Sequence, residues 1–416
     1  MSIKQHVKAG ALAAALAIGA AVTSAQAEEP IRFGLCFDLT KSYAFITPQF
    51  AQAAQDLAMY LNDNGGIEGH PVEVIVRDHG NEPQRGVECY EQLKRDGVFI
   101  FNYMSTPVSN AVLPRAMKDG NIQMQTFVGR GDAVDGEVFK WIFPVGPTYW
   151  QQAANDIAFI KEQMGGDLSD AKIGFIYIDT PYGQDPIGIL QTLAKLEGFD
   201  LELYPVALPG TDQSGIWSRV RRDKPDYMLS WLMAGSHVVA FKEMVRNRFP
   251  VDRYLSVHWL NEVDIRNMGE QDAKGLLAAA NVARGQDIPI VKTILDTYYA
   301  NGKGSGPESL VRDVYYNMGL AIQYAAVEAA RLAIKQHGWP LTPETMKAGY
   351  ESIVDFDANG LMAPVTVTPQ DHGGGGKTRV EQWDGEKWVP LTDWSADYTD
   401  VVWDVIKESS AKFTIE

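Results

Sequence analysis

Chemistry in this chain is first suggested at Met104–Ser105–Thr106–Pro107–Val108–Ser109. Hydroxyl side chains stand there at the mouth of a predicted helix, 110–118, whose first backbone N–H groups lack partners within the helix. Such a place can hold a carboxylate or carbonyl oxygen. Plain N-capping uses the same residues and is the competing reading. A second stretch, Asp179–Thr180–Pro181–Tyr182–Gly183, forms the exit loop of another predicted strand.

Catalytic patterns are missing. Neither G-x-S-x-G nor H-E-x-x-H occurs. His258 and Glu262 are four apart, but at a strand exit rather than on a helix, and no third metal ligand is evident. His372–Gly373–Gly374–Gly375–Gly376 lacks the Lys-Ser/Thr of a phosphate loop and reads as a flexible turn. No enzyme activity, metal or cofactor is expected. Cys36 and Cys89 can form a bridge in an oxidising compartment or remain two buried thiols, and geometry decides between these.

The elements that position these loops follow a βα rhythm. Strands are predicted at 31–37, 72–77, 98–102, 122–127 and 139–143, with helices at 47–64, 83–95 and 110–118 between them. A break at Pro144–Val145–Gly146–Pro147 precedes a helix at 149–163. The rhythm then restarts, with strands at 172–177, 200–206, 227–231, 254–259 and 275–283. Helices are predicted at 288–301, 312–336 and 343–354, short strands at 365–367, 380–383 and 387–390, and a helical tail after Trp394. Strands alternating with helices imply parallel sheets covered on both faces. Ligands in such sheets sit at the strand exits.

The chain has 416 residues, which implies two domains. Its net charge of −16 argues against nucleic acid and against an anionic membrane surface as partners. Lys4 and Lys8, an apolar run over 9–22 and Ala25–Gln26–Ala27 read as an export signal cleaved after Ala27. Its removal takes the charge to −18, and the exported chain is expected to be periplasmic and not inserted in the membrane.

Asn62–Asp63–Asn64–Gly65–Gly66–Ile67–Glu68–Gly69, Asp78 with Pro83, the Asp179–Gly183 loop and Lys274–Gly275–Leu276 together resemble the branched-chain-amino-acid-type periplasmic binding proteins of ABC transporters. The aromatic-compound and amide-binding branches are suggested by the Gly-rich hairpin with Trp383 and Trp388. The resemblance implies an α/β fold of two Rossmann-like lobes with parallel sheets, joined by a three-strand hinge near Gly146, Leu276 and Phe356. The first lobe would hold 28–146 and 277–356, and the second 147–276 and 357–416. A ligand would bind between the lobes, and the closed, monomeric protein would deliver it to a membrane permease.

The family's contact positions, carried over, fall on Ser105, Thr106, Phe127 to Arg130, Tyr149, Tyr182, Met233, His258 and Trp259. Ser105 and Thr106 would hold a carboxylate or carbonyl, and Tyr182 would close over it. Amino-acid-binding members place a carboxylate in the second lobe against the ligand ammonium. Here that position aligns with Val257 or His258, and Glu262 and Asp264 come later in the loop. Tyr43, Phe45, Trp150 and Trp231 add to the aromatic lining, and Arg130 is the expected anion partner. The expected ligand is a carboxylate, with an aromatic acid as the specific expectation. The alternatives are an amino acid as ligand, or a periplasmic sensor of the same fold.

Overall fold

A computed structural model describes residues 29–414 of the chain. The proposed export signal and its cleavage site lie outside the described residues. The first sheet holds β1 (Ile31–Phe37), β2 (Val72–Asp78), β3 (Ile100–Asn102), β4 (Ile122–Met124) and β5 (Ile142–Phe143), all parallel in the order β2-β1-β3-β4-β5. The central strand β1 is buried along nearly all its length. That is the consequence of helices covering both faces of a parallel sheet. Gly34 sits where a Cβ would stand 3.0 Å from both Leu93 and Val98, so the covering helix and the sheet meet without a side chain between them.

The second sheet repeats the order. β6 (Lys172–Ile178), β7 (Asp200–Val206), β8 (Tyr227–Trp231), β9 (Tyr254–Ser256) and β10 (Leu277–Ala280) run β7-β6-β8-β9-β10. β11 (Arg379–Trp383) and β12 (Trp388–Pro390) extend it antiparallel, joined by a turn in which Asp384 Oδ1 accepts from the Glu386 and Lys387 N–H groups. The α/β architecture of two parallel-sheet lobes is thus the one expected.

The chain passes between the sheets over 144–148, 281–288 and 356–378. The expected crossing at Leu276 lies too early. β10 follows it and is hydrogen-bonded between β9 and β11, so residues 277–280 belong to the second sheet, not the first. The expected strand at 365–367 reduces to one isolated bridge, Phe356 with Val365. The loop after β9 holds an unexpected helix, Glu262–Met268, capped by Asn261 accepting from the Asp264 N–H at 2.8 Å.

The returning helix Val314–His337 packs on helix Thr47–Asp63. A Cβ at Gly319 would lie 2.9 Å from Phe50 Cα and from Ala53 Cβ, so glycine sets that close approach. Cys36 and Cys89 are bridged, with Cα atoms 6.2 Å apart, and tie β1 to helix Pro83–Arg95.

Candidate functional site

A cleft of about 310 Å³ opens where the strand-exit loops of the two sheets meet. The first sheet contributes Tyr43, Phe45 and Ile46 after β1, Met104, Ser105 and Thr106 after β3, and Val128 after β4. The second contributes Tyr182 after β6, Met233 after β8 and Trp259 after β9, and Tyr149 enters from the first crossing. Eight of the twelve expected contact residues therefore line one cavity: Tyr43, Phe45, Ser105, Thr106, Tyr149, Tyr182, Met233 and Trp259.

The other four do not. Arg130 adopts φ +88, and its guanidinium turns away to stack 4.7 Å from both Phe139 and Phe413 and to pair with Asp132 at 3.0 Å. Phe127, at φ +62, is buried behind the wall and contributes its carbonyl to the Tyr149 hydroxyl at 2.8 Å. Trp231 ends β8 facing inward, fully buried against Phe175 and Tyr149. His258 is likewise buried, with Nδ1 2.5 Å from Gln152 Oε1 and 2.9 Å from Asn281 Nδ2. Burial first, then Arg284, hold its pKa well below the ordinary histidine value, so it is a neutral core residue. Trp150 also misses the cleft and donates its Nε1–H to the Asp185 carbonyl at 2.9 Å. Val128 lies within the expected stretch Phe127 to Arg130, whereas Met104 and Ile46 are lining residues not named as contacts, although each adjoins a predicted strand exit.

The polar groups on the wall are largely spent on the protein itself. Ser105 caps helix Thr106–Asp119, accepting from the Val108 N–H and donating to Asn81 Oδ1 at 2.6 Å. The Tyr182 hydroxyl donates to the Leu232 carbonyl at 2.8 Å. The Tyr149 hydroxyl donates to Phe127 and accepts from Trp259 Nε1 at 2.8 Å. Burial pushes both phenols well above the ordinary tyrosine range, so both stay protonated.

What remains free is donor capacity. Thr106 Oγ1 accepts from the Gly129 N–H at 2.9 Å but keeps its own hydrogen to donate. Its backbone N–H opens the helix. In that first turn Pro107 has no N–H, Val108 is taken by Ser105 Oγ, and Ser109 is taken by the Ser105 carbonyl. The Tyr43 hydroxyl makes no hydrogen bond to a described residue, and burial and Asp38 keep it protonated. Among the described residues, no Asp, Glu, Lys, Arg or His lines the cleft.

Beside the cleft the lobes touch through buried carboxyls. Asp185 Oδ1, from the second lobe, accepts from the Arg130 N–H at 2.8 Å. Glu262 Oε2 accepts from the Val314 N–H at 3.1 Å. Asp264 and Asp313 flank this contact, and each has one oxygen without a hydrogen-bond partner among the described residues. Burial first, with neighbouring carboxylates adding to it, holds Asp185 and Asp313 up at about 7 and Asp264 at about 8.

A family model described as periplasmic binding protein matches residues 30–387. The Leu/Ile/Val-binding protein homolog 8 of Brucella suis biovar 1 (strain 1330) is 27% identical over 194 residues, 44% of this chain and 47% of that one. The chain spans about half the length of the curated relatives it matches. A solved structure described as an ABC transporter permease from the Pseudomonas fluorescens group is 32% identical, covering 92% of this chain and 96% of that one at a TM-score of 0.84. A branched-chain amino acid ABC transporter protein from Thermus thermophilus, solved with valine, shares the fold at 18% identity and TM-score 0.80, covering 91% of this chain and 99% of its own. A solute-binding protein from R. palustris in complex with benzoate shares it at 12% identity and TM-score 0.70, covering 89% and 98%.

Proposed function

Because the chain belongs to the periplasmic binding protein family, we propose that it is the capture component of an ABC uptake system and that its ligand is a small apolar carboxylate, with an aromatic acid as the best fit. The observation that carries this reading is the unspent hydrogen-bonding capacity of the cleft. It includes three donors, the Thr106 N–H, the Thr106 hydroxyl and the Tyr43 hydroxyl, and no carboxylate among the described lining residues. Three donors beside a helix N-terminus suit a carboxylate. A ligand ammonium would find no carboxylate on the wall, and burying it unpaired is costly. Tyr43, Phe45, Tyr149, Tyr182 and Trp259 offer ring faces and edges to a flat apolar body.

Capture works by closure. The ligand must gain contacts from both lobes that the open form cannot supply, because equal affinity for both forms shifts nothing. Tyr182, Met233 and Trp259 supply them from the second lobe. Thr106 and Tyr43 anchor from the first. The test is a thermal-shift panel on unfolded and refolded protein, comparing benzoates and hydroxycinnamates with leucine, valine and short amides. A ligand at ~100 times its Kd adds about 2.7 kcal/mol of stability. Aromatic acids are expected to raise the Tm and amino acids to leave it unchanged. A shift with leucine or valine alone would overturn the ligand assignment and leave the family role intact.

A further inference from the structure

At the far end of the second sheet the charge of the molecule is locally inverted. β8 and β9 deliver Met233 and Trp259 to the cleft at their C-terminal ends. The loops that enter these strands meet at the opposite end, about 17 Å away along the five residues of β8. Between them lies a concave groove of about 670 Å³. Its floor is apolar, with Pro225 and Phe249, and its rim carries Arg221, Lys224, Arg248 and Arg253. Segments 219–226 and 242–253 hold eight Lys and Arg against four Asp and Glu, in a chain of net charge −16.

The carboxylates here are mostly engaged. Asp223 faces Arg219 and Arg222 at 3.5 and 3.3 Å, Glu243 holds Arg246 at 2.7 Å, and Asp226 accepts from the Lys172 N–H at 2.9 Å. Cations at the ends of helices Ser214–Asp223 and Ser236–Arg246 complement the helix dipoles, a role filled by Arg221, Arg222 and Arg246. Lys224, Arg248 and Arg253 lie beyond those last turns, and none of the four rim cations makes an ion pair with a described residue. Arg253 only leans over the Tyr227 ring at 5.9 Å. Lys224 and Arg248 occupy φ +51 and +59, left-handed positions where a helix end ordinarily takes glycine.

We propose that this groove docks an acidic segment of a partner protein, anchored by an apolar side chain over Phe249 and Pro225. Its distance from the cleft leaves ligand capture free while the partner is bound. A peptide segment fits better than an anionic bilayer for two reasons. The surface is concave, so a flat membrane cannot reach the floor. With a Debye length of about 8 Å, a short segment in the groove senses the rim cations, whereas a bilayer across the whole face also senses the acidic remainder of the chain.

The probe is a fluorescein-labelled peptide of alternating Asp and Glu around one Phe, followed by anisotropy on the intact protein. Binding is expected to weaken as salt rises and to fall by at least ~10-fold in Arg248→Glu/Arg253→Glu. Arg221→Glu/Lys224→Glu, exposed positions on the other side of the groove, is expected to do the same. Lys274→Glu/Lys387→Glu makes the same change in net charge away from the groove and should bind as the wild type does. Benzoate-induced thermal shifts should be equal in all four proteins, which separates this proposal from the ligand assignment. Equal peptide binding by the groove variants and the distal control would overturn it, as would co-sedimentation with phosphatidylglycerol vesicles in place of peptide binding.

Discussion

The cleft wall and the seam beside it meet at Trp259, and they treat polar atoms in opposite ways. On the wall, Ser105, Tyr149 and Tyr182 are satisfied by the protein itself, and three donors are left over with no carboxylate beside them. In the seam, the buried Asp264 and Asp313 and the half-buried Asp185 each have an oxygen left unpartnered among the described residues. In the proposed reading the wall selects by shape, by three donors and by the lack of a carboxylate. The seam is a strained lobe–lobe contact whose cost depends on protonation. Affinity is therefore set in two places, and only one of them touches ligand.

Removing the side chain where the two regions meet gives the largest effect. Trp259 faces the cleft, donates to Tyr149 and accepts the Tyr315 hydroxyl on its carbonyl. Trp259→Ala is expected to cost about 3–5 kcal/mol in denaturant unfolding and to abolish ligand-induced shifts. The next largest effect touches neither region. Cys36→Ser/Cys89→Ser should lose roughly 2–4 kcal/mol, because the unfolded chain is no longer cross-linked. Ligand preference should be unchanged in the remaining folded protein.

The seam alone is addressed by pH. In this structure Asp185 and Asp313 are held at about 7 and Asp264 at about 8, all above the ordinary 3.8. In the closure proposed above, opening would return them to water and to their ordinary range. The closed form then binds more protons than the open form between about pH 5 and 8, so closure is favoured by acid and weakens as pH rises through the closed-state values. Titration calorimetry in buffers of different ionisation enthalpy should register proton uptake on ligand binding. Asp264→Asn/Asp313→Asn should flatten the pH dependence and tighten binding most at the alkaline end. Unchanged pH dependence in that variant would remove the seam from the account.

The smallest effect sharpens the wall. Arg130 turns its guanidinium to Phe139, Phe413 and Asp132. Arg130→Met is expected to change the affinity for an aromatic acid by less than about threefold, since only contacts to ligand bias closure. A loss larger than about tenfold would place the guanidinium back in the cleft.

Strand exits were readable because β-branched runs and helix punctuation mark them, and Ser105, Thr106, Tyr182 and Met233 all follow from that. Side-chain direction within an exit loop was not readable. Phe127 and Arg130 take positive φ, which reverses where their side chains point, and neither residue type signals that conformation. Trp231 and His258 failed for a related reason. Each lies within two residues of a true lining residue, Met233 and Trp259, and faces the other way. The helix Glu262–Met268 did carry a signal, Asn261 followed by Glu262 and Asp264 in the first turn, but the loop was read as irregular. The strand at β10 was expected, but its lobe was not readable, because pairing with β9 and β11 rather than local sequence decides its place.

The central claim is that a wall with three free donors and no carboxylate closes on a carboxylate and rejects an ammonium. Calorimetric titration of benzoate and of leucine into the same stripped protein, at one acidic pH, tests it most directly. Benzoate is expected to bind with saturation at one site while leucine gives no heat above dilution. Saturable binding of leucine with none for benzoate would contradict the claim and would make a seam carboxylate, Asp264 or Glu262, the partner of the ligand ammonium.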